Sequence, residues 1–240
     1  EDSRMLSAIT SQVDTAVFER LERRRMRKVL SRSVDPKVLD ALLTRADDSI
    51  LTGERVVLTV LCADLRGSTE WAERTEPEEL VSMLNEFLGL MVDVIFKHGG
   101  TLDKFVGDEI IALFGSPLPM EEHAYKAAQA ALEMQAVHER MRKRLAQQNH
   151  EIPQMGIGIS TGEVIAGEFG PSIRTDFTAM GRVMNLGSRL CSAAEGNQII
   201  ISETSAKAIG ERGRIRSLEP IMLKGISTPV QTHELLSLLE

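Results

Sequence analysis

Cysteine is nearly absent from this 240-residue chain: Cys62 and Cys191 are the only two, each flanked by apolar or small residues. Two such thiols do not make a disulfide framework, and both are expected to be buried in a reducing compartment. The ligand clusters that zinc requires are also missing. So are long hydrophobic runs: Val56 to Ala63 is too short to cross a bilayer, and Leu80 to Phe96 is interrupted by Glu86 and Asp93. Positive charge is in deficit, with 28 Lys and Arg against 35 Asp and Glu for a formal net charge of −7, which argues against a partner such as bulk nucleic acid. No secretory pattern follows Glu1, so the expectation is a cytoplasmic piece of a longer protein, with any membrane anchor lying upstream. At 42% hydrophobic and 26% charged, the chain can bury the core of one globular domain with an appendage.

Residues 1–32 contain no Gly or Pro, and Leu6, Ile9, Val13, Val17 and Leu21 recur at three- and four-residue steps, a narrow apolar seam on a helix. The segment turns basic from Arg20 to Arg32, which suits either a solvated helix face or a two-stranded coiled coil. A short helical piece begins at Pro36 and is punctuated by Asp47, Asp48 and Gly53. The expected division is a helix over 1–33, a linker with a short helix over 34–54, and a folded domain over 55–240.

Within that domain, Val56 to Ala63 reads as a strand buried on both faces. Pro77-Glu78-Glu79 opens a helix that carries Leu80, Leu84, Phe87, Leu88, Met91 and Ile95 and stops at Gly99-Gly100. Thr101 to Phe105 and Glu109 to Phe114 form a hairpin around Gly107-Asp108. A second long helix spans about Glu121 to Gln147. Met155 to Ser160 and Glu163 to Ala166 are expected to flank Thr161-Gly162 as another hairpin, followed by a helix from Gly181 to Ala194 and short strands near 198–202 and 230–236. The order strand, helix, strand, strand, helix, strand predicts an α+β fold. Its core is a ferredoxin-like βαββαβ unit with C-terminal additions and a mixed, mostly antiparallel sheet.

Two stretches carry chemistry. Asp64-Leu65-Arg66-Gly67-Ser68-Thr69 sets a carboxylate at a strand end before a Gly turn whose amides can meet phosphate, although an ordinary strand-to-helix turn has the same composition. Phe105-Val106-Gly107-Asp108-Glu109 holds a second carboxylate at a hairpin tip, where an Asp is often only a turn residue. The topology changes their weight. In a ferredoxin-like unit the first strand neighbours the hairpin, so both carboxylates can converge at one rim, as a two-magnesium phosphoryl or nucleotidyl transfer site requires.

Together with Phe177-Thr178-Ala179-Met180-Gly181-Arg182-Val183-Met184-Asn185-Leu186-Gly187-Ser188-Arg189-Leu190, these stretches resemble the class III nucleotidyl cyclase catalytic domain, of bacterial adenylate cyclase type, over roughly Arg55 to Leu236. The helix of residues 1–33 likewise resembles a signalling helix, which implies an upstream sensor. By this resemblance Asp64, Asp108 and the Leu65 carbonyl hold two Mg²⁺ ions per site, with Mn²⁺ able to substitute. The turn Arg66, Gly67, Ser68 and Thr69 holds the triphosphate, with Lys224 reaching it. Lys104 and Thr178 read the purine. Asn185 orients the ribose and Arg189 stabilises charge at the α-phosphate, the two sharing a helix face at i, i+4.

The implied reaction converts ATP to 3′,5′-cyclic AMP and pyrophosphate, at sites shared across a homodimer formed by the catalytic domain and the N-terminal helix. Lys104 and Thr178 favour adenine, since guanylate cyclases typically carry Glu and Cys, respectively, there. Arg182 and Gly187 depart from the usual Asp and Ala without removing a catalytic group. The alternatives are a guanylate cyclase, a degenerate cyclase domain serving as a dimerising module, and a diguanylate cyclase. The last is disfavoured because Val106 stands where its Gly-Gly-Asp-Glu-Phe signature has Gly. His138 is expected to be structural or exposed.

Overall fold

The computed structural model of the chain describes residues 53–170, 176–223 and 227–239. The N-terminal helix expected over 1–33, the linker through residue 52, and Lys224 lie outside the described residues. A single mixed sheet runs in the order β2-β3-β1-β4-β6-β8-β7, and β5 pairs with β4 beyond that path. Its first six elements are β1 (Glu54–Leu65), α1 (Ser68–Arg74), α2 (Pro77–Lys97), β2 (Thr101–Val106), β3 (Glu109–Phe114) and α3 (His123–Ala146). Then follow β4 (Met155–Phe169), β5 (Asp176–Met180), α4 (Arg182–Ala193), β6 (Ile199–Ser202), α5 (Glu203–Ile209), β7 (Gly213–Ser217) and β8 (Thr232–Leu238). The four strands of the βαββαβ unit are antiparallel neighbours, and β4 with β6 is the parallel pair. The expected ferredoxin-like core with C-terminal additions is therefore the fold found. No helix among the described residues is long and apolar enough to cross a membrane.

The continuous apolar run of β1 is explained by cover on both sides. Leu61, Ala63 and Leu65 join the core under α2 and α3, while Leu58, Val60 and Cys62 pack on the other face with Cys191, Val183 and Met184 of α4. On the first face α3 presents Ala124, Ala127, Ala128, Ala130 and Ala131, small enough for close approach, and α2 contributes Phe87, Met91 and Ile95. His138 is fully buried there. Its Nε2 lies 2.8 Å from the Pro153 carbonyl and its ring meets Phe87 edge-on, a structural role. Both cysteines are buried free thiols. Burial pushes Cys191 up to about 12 and raises Cys62 as well, so neither is poised to react.

One expectation is overturned. Thr161-Gly162 is not a turn: β4 is one strand of 15 residues, paired with β1 from Leu65↔Met155 to Glu54↔Ala166, and Gly162 sits opposite Leu58 in the ladder. The glycines of β4 serve close approach. A Cβ on Gly158 would meet the Cys191 amide nitrogen at 2.2 Å and the Gly187 carbonyl at 2.4 Å, and one on Gly162 would meet Val183 Cγ2 at 2.9 Å. They let α4 lie directly on the strand. The edge strand β7 escapes the periodicity argument altogether.

Gly158 should therefore tolerate less than Gly162. Gly158→Ala drives a methyl into backbone and is expected to cost about 3 kcal/mol or more, against about 1 kcal/mol for Gly162→Ala, where a side-chain methyl can rotate aside. Urea midpoints at unchanged slope measure this, and equal costs would contradict the account.

Candidate active site

Strand register brings the two acidic residues together. β1 and β3 pair with Ala63 opposite Ile110, and two further steps along that ladder set Leu65 against Asp108 at the hairpin tip. The Leu65 amide donates to Asp108 Oδ2 at 3.2 Å, which ties the tip to the end of β1. Gly107, at φ +67°, supplies the left-handed residue of the tip. Asp64 is adjacent. Burial, then the charge and carboxyl of Asp108, push the Asp64 carboxyl up to about 7, against an opposing pull from Arg66. Two hard oxygen donors forced into repulsion at a sheet rim fit a divalent cation, with Leu65 between them. Among the described residues no cluster of three or more His, Cys, Asp or Glu could hold a metal.

Arg66 is the positive group already present. Its Nη2 donates to Asp64 Oδ2 at 2.9 Å and to the Asp64 carbonyl at 3.1 Å, and Nη1 reaches the Ser192 carbonyl near the end of α4 at 3.5 Å. Its own amide is taken by the Gln154 carbonyl at 2.7 Å. Of the four turn amides expected to meet phosphate, those of Gly67, Ser68 and Thr69 remain at the head of α1, where helical N–H groups lack intrahelical acceptors. Gly67, at φ +70°, makes this turn.

The helix α4 carries Asn185, exposed, and Arg189, half-buried, one turn apart, while Gly187, Leu190 and Cys191 are buried beneath it. Ser188 Oγ donates to Glu109 Oε1 at 2.9 Å. Burial raises the Glu109 carboxyl and this hydrogen bond opposes the rise. The sequence reading missed this tie and that from Arg66 to Ser192. Glu109 follows the hairpin Asp and could have been suspected, whereas nothing in the sequence marks Ser188. Among the described residues Arg189 makes no ion pair with Asp64 or Asp108. Arg182, exposed at the first position of α4, is explained by nothing in the structure.

A third group forms around Lys104 and Thr178. Flat strands about 4.8 Å apart would put β2 and β5, four steps apart in the ladder, about 19 Å from each other. Burial raises the Asp103 carboxyl, and Thr178 and the adjacent Lys104 oppose that rise, which places Thr178 near Asp103 through the coiling of the sheet. Asp103 is a further residue the sequence reading passed over.

The comparisons concern the family and the fold. The family model described as Adenylate and Guanylate cyclase catalytic domain matches residues 54–237. Rv1318c of Mycobacterium tuberculosis is 33% identical over 218 residues, 88% of this chain and 38% of that protein, so the chain spans well under half of that relative's length. Among solved structures, the adenylyl cyclase CyaB from P. aeruginosa has TM-score 0.75 at 36% identity, over 78% of this chain and 97% of that one. The guanylyl cyclase Cya2 has TM-score 0.72 at 38% identity, over 78% and 95%. The fold, the paired carboxylates and the family match define a nucleotidyl cyclase domain. This chain belongs to the class III adenylyl and guanylyl cyclase catalytic-domain family.

Held together without a cation, the carboxylates oppose folding. Asp64 has an ordinary value of 3.8 and a folded value near 7, so the destabilisation is absent below the first, grows between the two, and is complete above the second. With a chelator present, Asp108→Asn is expected to raise the unfolding midpoint at pH 8 by a few degrees, a gain that shrinks toward pH 4. A midpoint lowered at pH 8 would contradict the repulsion.

Proposed function

We propose that this domain is an adenylate cyclase, converting ATP to 3′,5′-cyclic AMP and pyrophosphate. The observation that carries this reading is the convergence of Asp64 and Asp108 at one rim, next to the Gly67 turn and the head of α1. Two Mg²⁺ ions held there, or Mn²⁺ in their place, would neutralise the triphosphate and acidify the attacking ribose 3′-hydroxyl. The chain's own residues bind and orient. The amides of Gly67, Ser68 and Thr69, with Lys224, receive the triphosphate; Asn185 sets the ribose, and Arg189 stabilises the charge that develops at the α-phosphate during in-line attack. Nucleophile and target belong to one molecule, so positioning replaces encounter.

Arg189 makes no ion pair with the carboxylate pair of its own chain among the described residues, which favours two sites shared across a head-to-tail homodimer. One chain then gives Asp64 and Asp108 to a site that its partner completes with Lys104, Thr178, Asn185 and Arg189. A rotation passed from an upstream sensor by way of residues 1–33 would regulate the pair.

A guanylate cyclase is the second reading, favoured by the likeness to Cya2. Lys104 and Thr178 argue for adenine. The double change Lys104→Glu with Thr178→Cys should move preference toward GTP.

Cyclic AMP production in Mg²⁺ or Mn²⁺ tests the main reading. Asp108→Asn and Arg189→Ala should each lower the rate by about a thousandfold. Mixed in equal amounts they should recover about a quarter of wild-type activity, because half of the dimers are mixed and each has one intact site. Two inactive variants that stay inactive when mixed would refute the shared site, and an unaltered Asp108→Asn would refute the chemistry.

A further inference from the structure

Asp103 occupies an unusual position. The β2–β3 ladder shifts register between Leu102, paired with Ala112, and Lys104, paired with Ile111, so Asp103 is the extra residue of a β-bulge. A bulge breaks the alternation that would send neighbouring side chains to opposite faces. The result is an ion pair between sequence neighbours, with Lys104 Nζ 3.5 Å from Asp103 Oδ2. The Asp103 side chain is 0% exposed while that of Lys104 is 44% exposed, so the ammonium looks outward over a carboxylate sealed beneath it. Both Asp103 carboxylate oxygens lack a hydrogen-bond partner among the described residues, and so does the Oγ1 of Thr178, a residue 6% exposed. Thr178 opposes the rise that burial imposes on the Asp103 carboxyl, so the buried acceptor and the buried hydroxyl lie in each other's field, and neither having a hydrogen bond, both are under pressure to find one.

We propose that Asp103 is a positioning residue that fixes the polarity of Thr178: its carboxylate takes the hydroxyl proton, so the hydroxyl can only accept from a nucleobase. This rests on the reading of Lys104 and Thr178 as the purine-reading pair. A threonine hydroxyl donates once and can also accept, and by itself discriminates little; Lys only donates. With its proton committed to Asp103, Thr178 becomes an acceptor beside a donor. Adenine presents the complement, an N1 acceptor next to the N6 amine. In the same register guanine and hypoxanthine set N1–H against the ammonium and O6 against the hydroxyl lone pair, two mismatches in a desolvated place. The bulge serves this arrangement by turning a carboxylate inward next to the residue that faces the base.

The test is the preference for ATP over ITP, which keeps N1–H and O6 without the 2-amino group of guanine. Asp103→Asn preserves shape, but its amide can donate to Thr178 and release the hydroxyl proton toward O6. The ATP-to-ITP ratio of kcat/KM is expected to fall by about tenfold, the worth of one mispaired buried hydrogen bond. In a Thr178→Val background the same substitution should leave the ratio unchanged. The ratio is also read without turnover, by competition of 3′-deoxyATP and 3′-deoxyITP against a fluorescent nucleotide. A protein that prefers the adenine analogue yet forms no cyclic AMP would fail the reaction proposed above while leaving this inference standing. A preference untouched by Asp103→Asn, with affinity for both analogues lowered alike, would reduce Asp103 to a structural carboxylate, and a change that persists without the Thr178 hydroxyl would overturn the route. Equal binding of the two analogues by the wild type would also overturn it.

Discussion

The constraint on which the rest depends is the enforced proximity of two like charges. β1 ends at Leu65 and the β2–β3 hairpin turns at Asp108, and the antiparallel register of β1 with β3 lets neither retreat from the other. The Asp64 carboxyl sits where burial and a second carboxylate both oppose its charge, and Arg66 compensates only in part. A folded protein holds such a pair against repulsion because the strands that carry it are anchored elsewhere, here by the core under α2 and α3. A divalent cation between the oxygens would relieve that repulsion.

Around that rim the chain is tied together by side-chain hydrogen bonds. Arg66 spans from Asp64 to the end of α4 at Ser192, and Glu109, next to the hairpin Asp, is bonded to Ser188 of the same helix. The rim carboxylates and the helix α4 are therefore carried on one framework. Gly158 and Gly162 bring α4 onto β4 closely enough for these two ties to form. A small residue in a central strand is thus part of the active-site geometry, through backbone separation rather than chemistry.

The places where the sequence misled share one cause. Thr161-Gly162 has turn composition, but a 12-residue β1 offers a partner for every residue of β4 as far as Ala166, and a ladder with a ready partner outweighs local turn preference. Asp103 looks like one more strand-face carboxylate in Thr-Leu-Asp-Lys, since alternation assigns it to the face opposite Lys104. Only the bulge puts the two together, and only sheet coiling brings Thr178 to meet them. By contrast α2, α3, α4 and the β2–β3 hairpin were legible to within a few residues, because their periodicity, proline start and glycine turns are local signals.

The amino-acid order by itself determined most of the elements, the ferredoxin-like succession and the placing of Asp64 and Asp108 at two turns, since periodicity and turn chemistry are written along the chain, whereas the roles expected of Lys104, Thr178, Asn185 and Arg189 come from the family resemblance. Tertiary structure decided what stands beside them. Arg66 facing Asp64, Glu109 bonded to Ser188 and the sealed carboxylate of Asp103 are set by strand register, by one bulge and by how closely a helix can approach a strand without side chains in its way. Those are distances between residues far apart in sequence, and no local pattern encodes them.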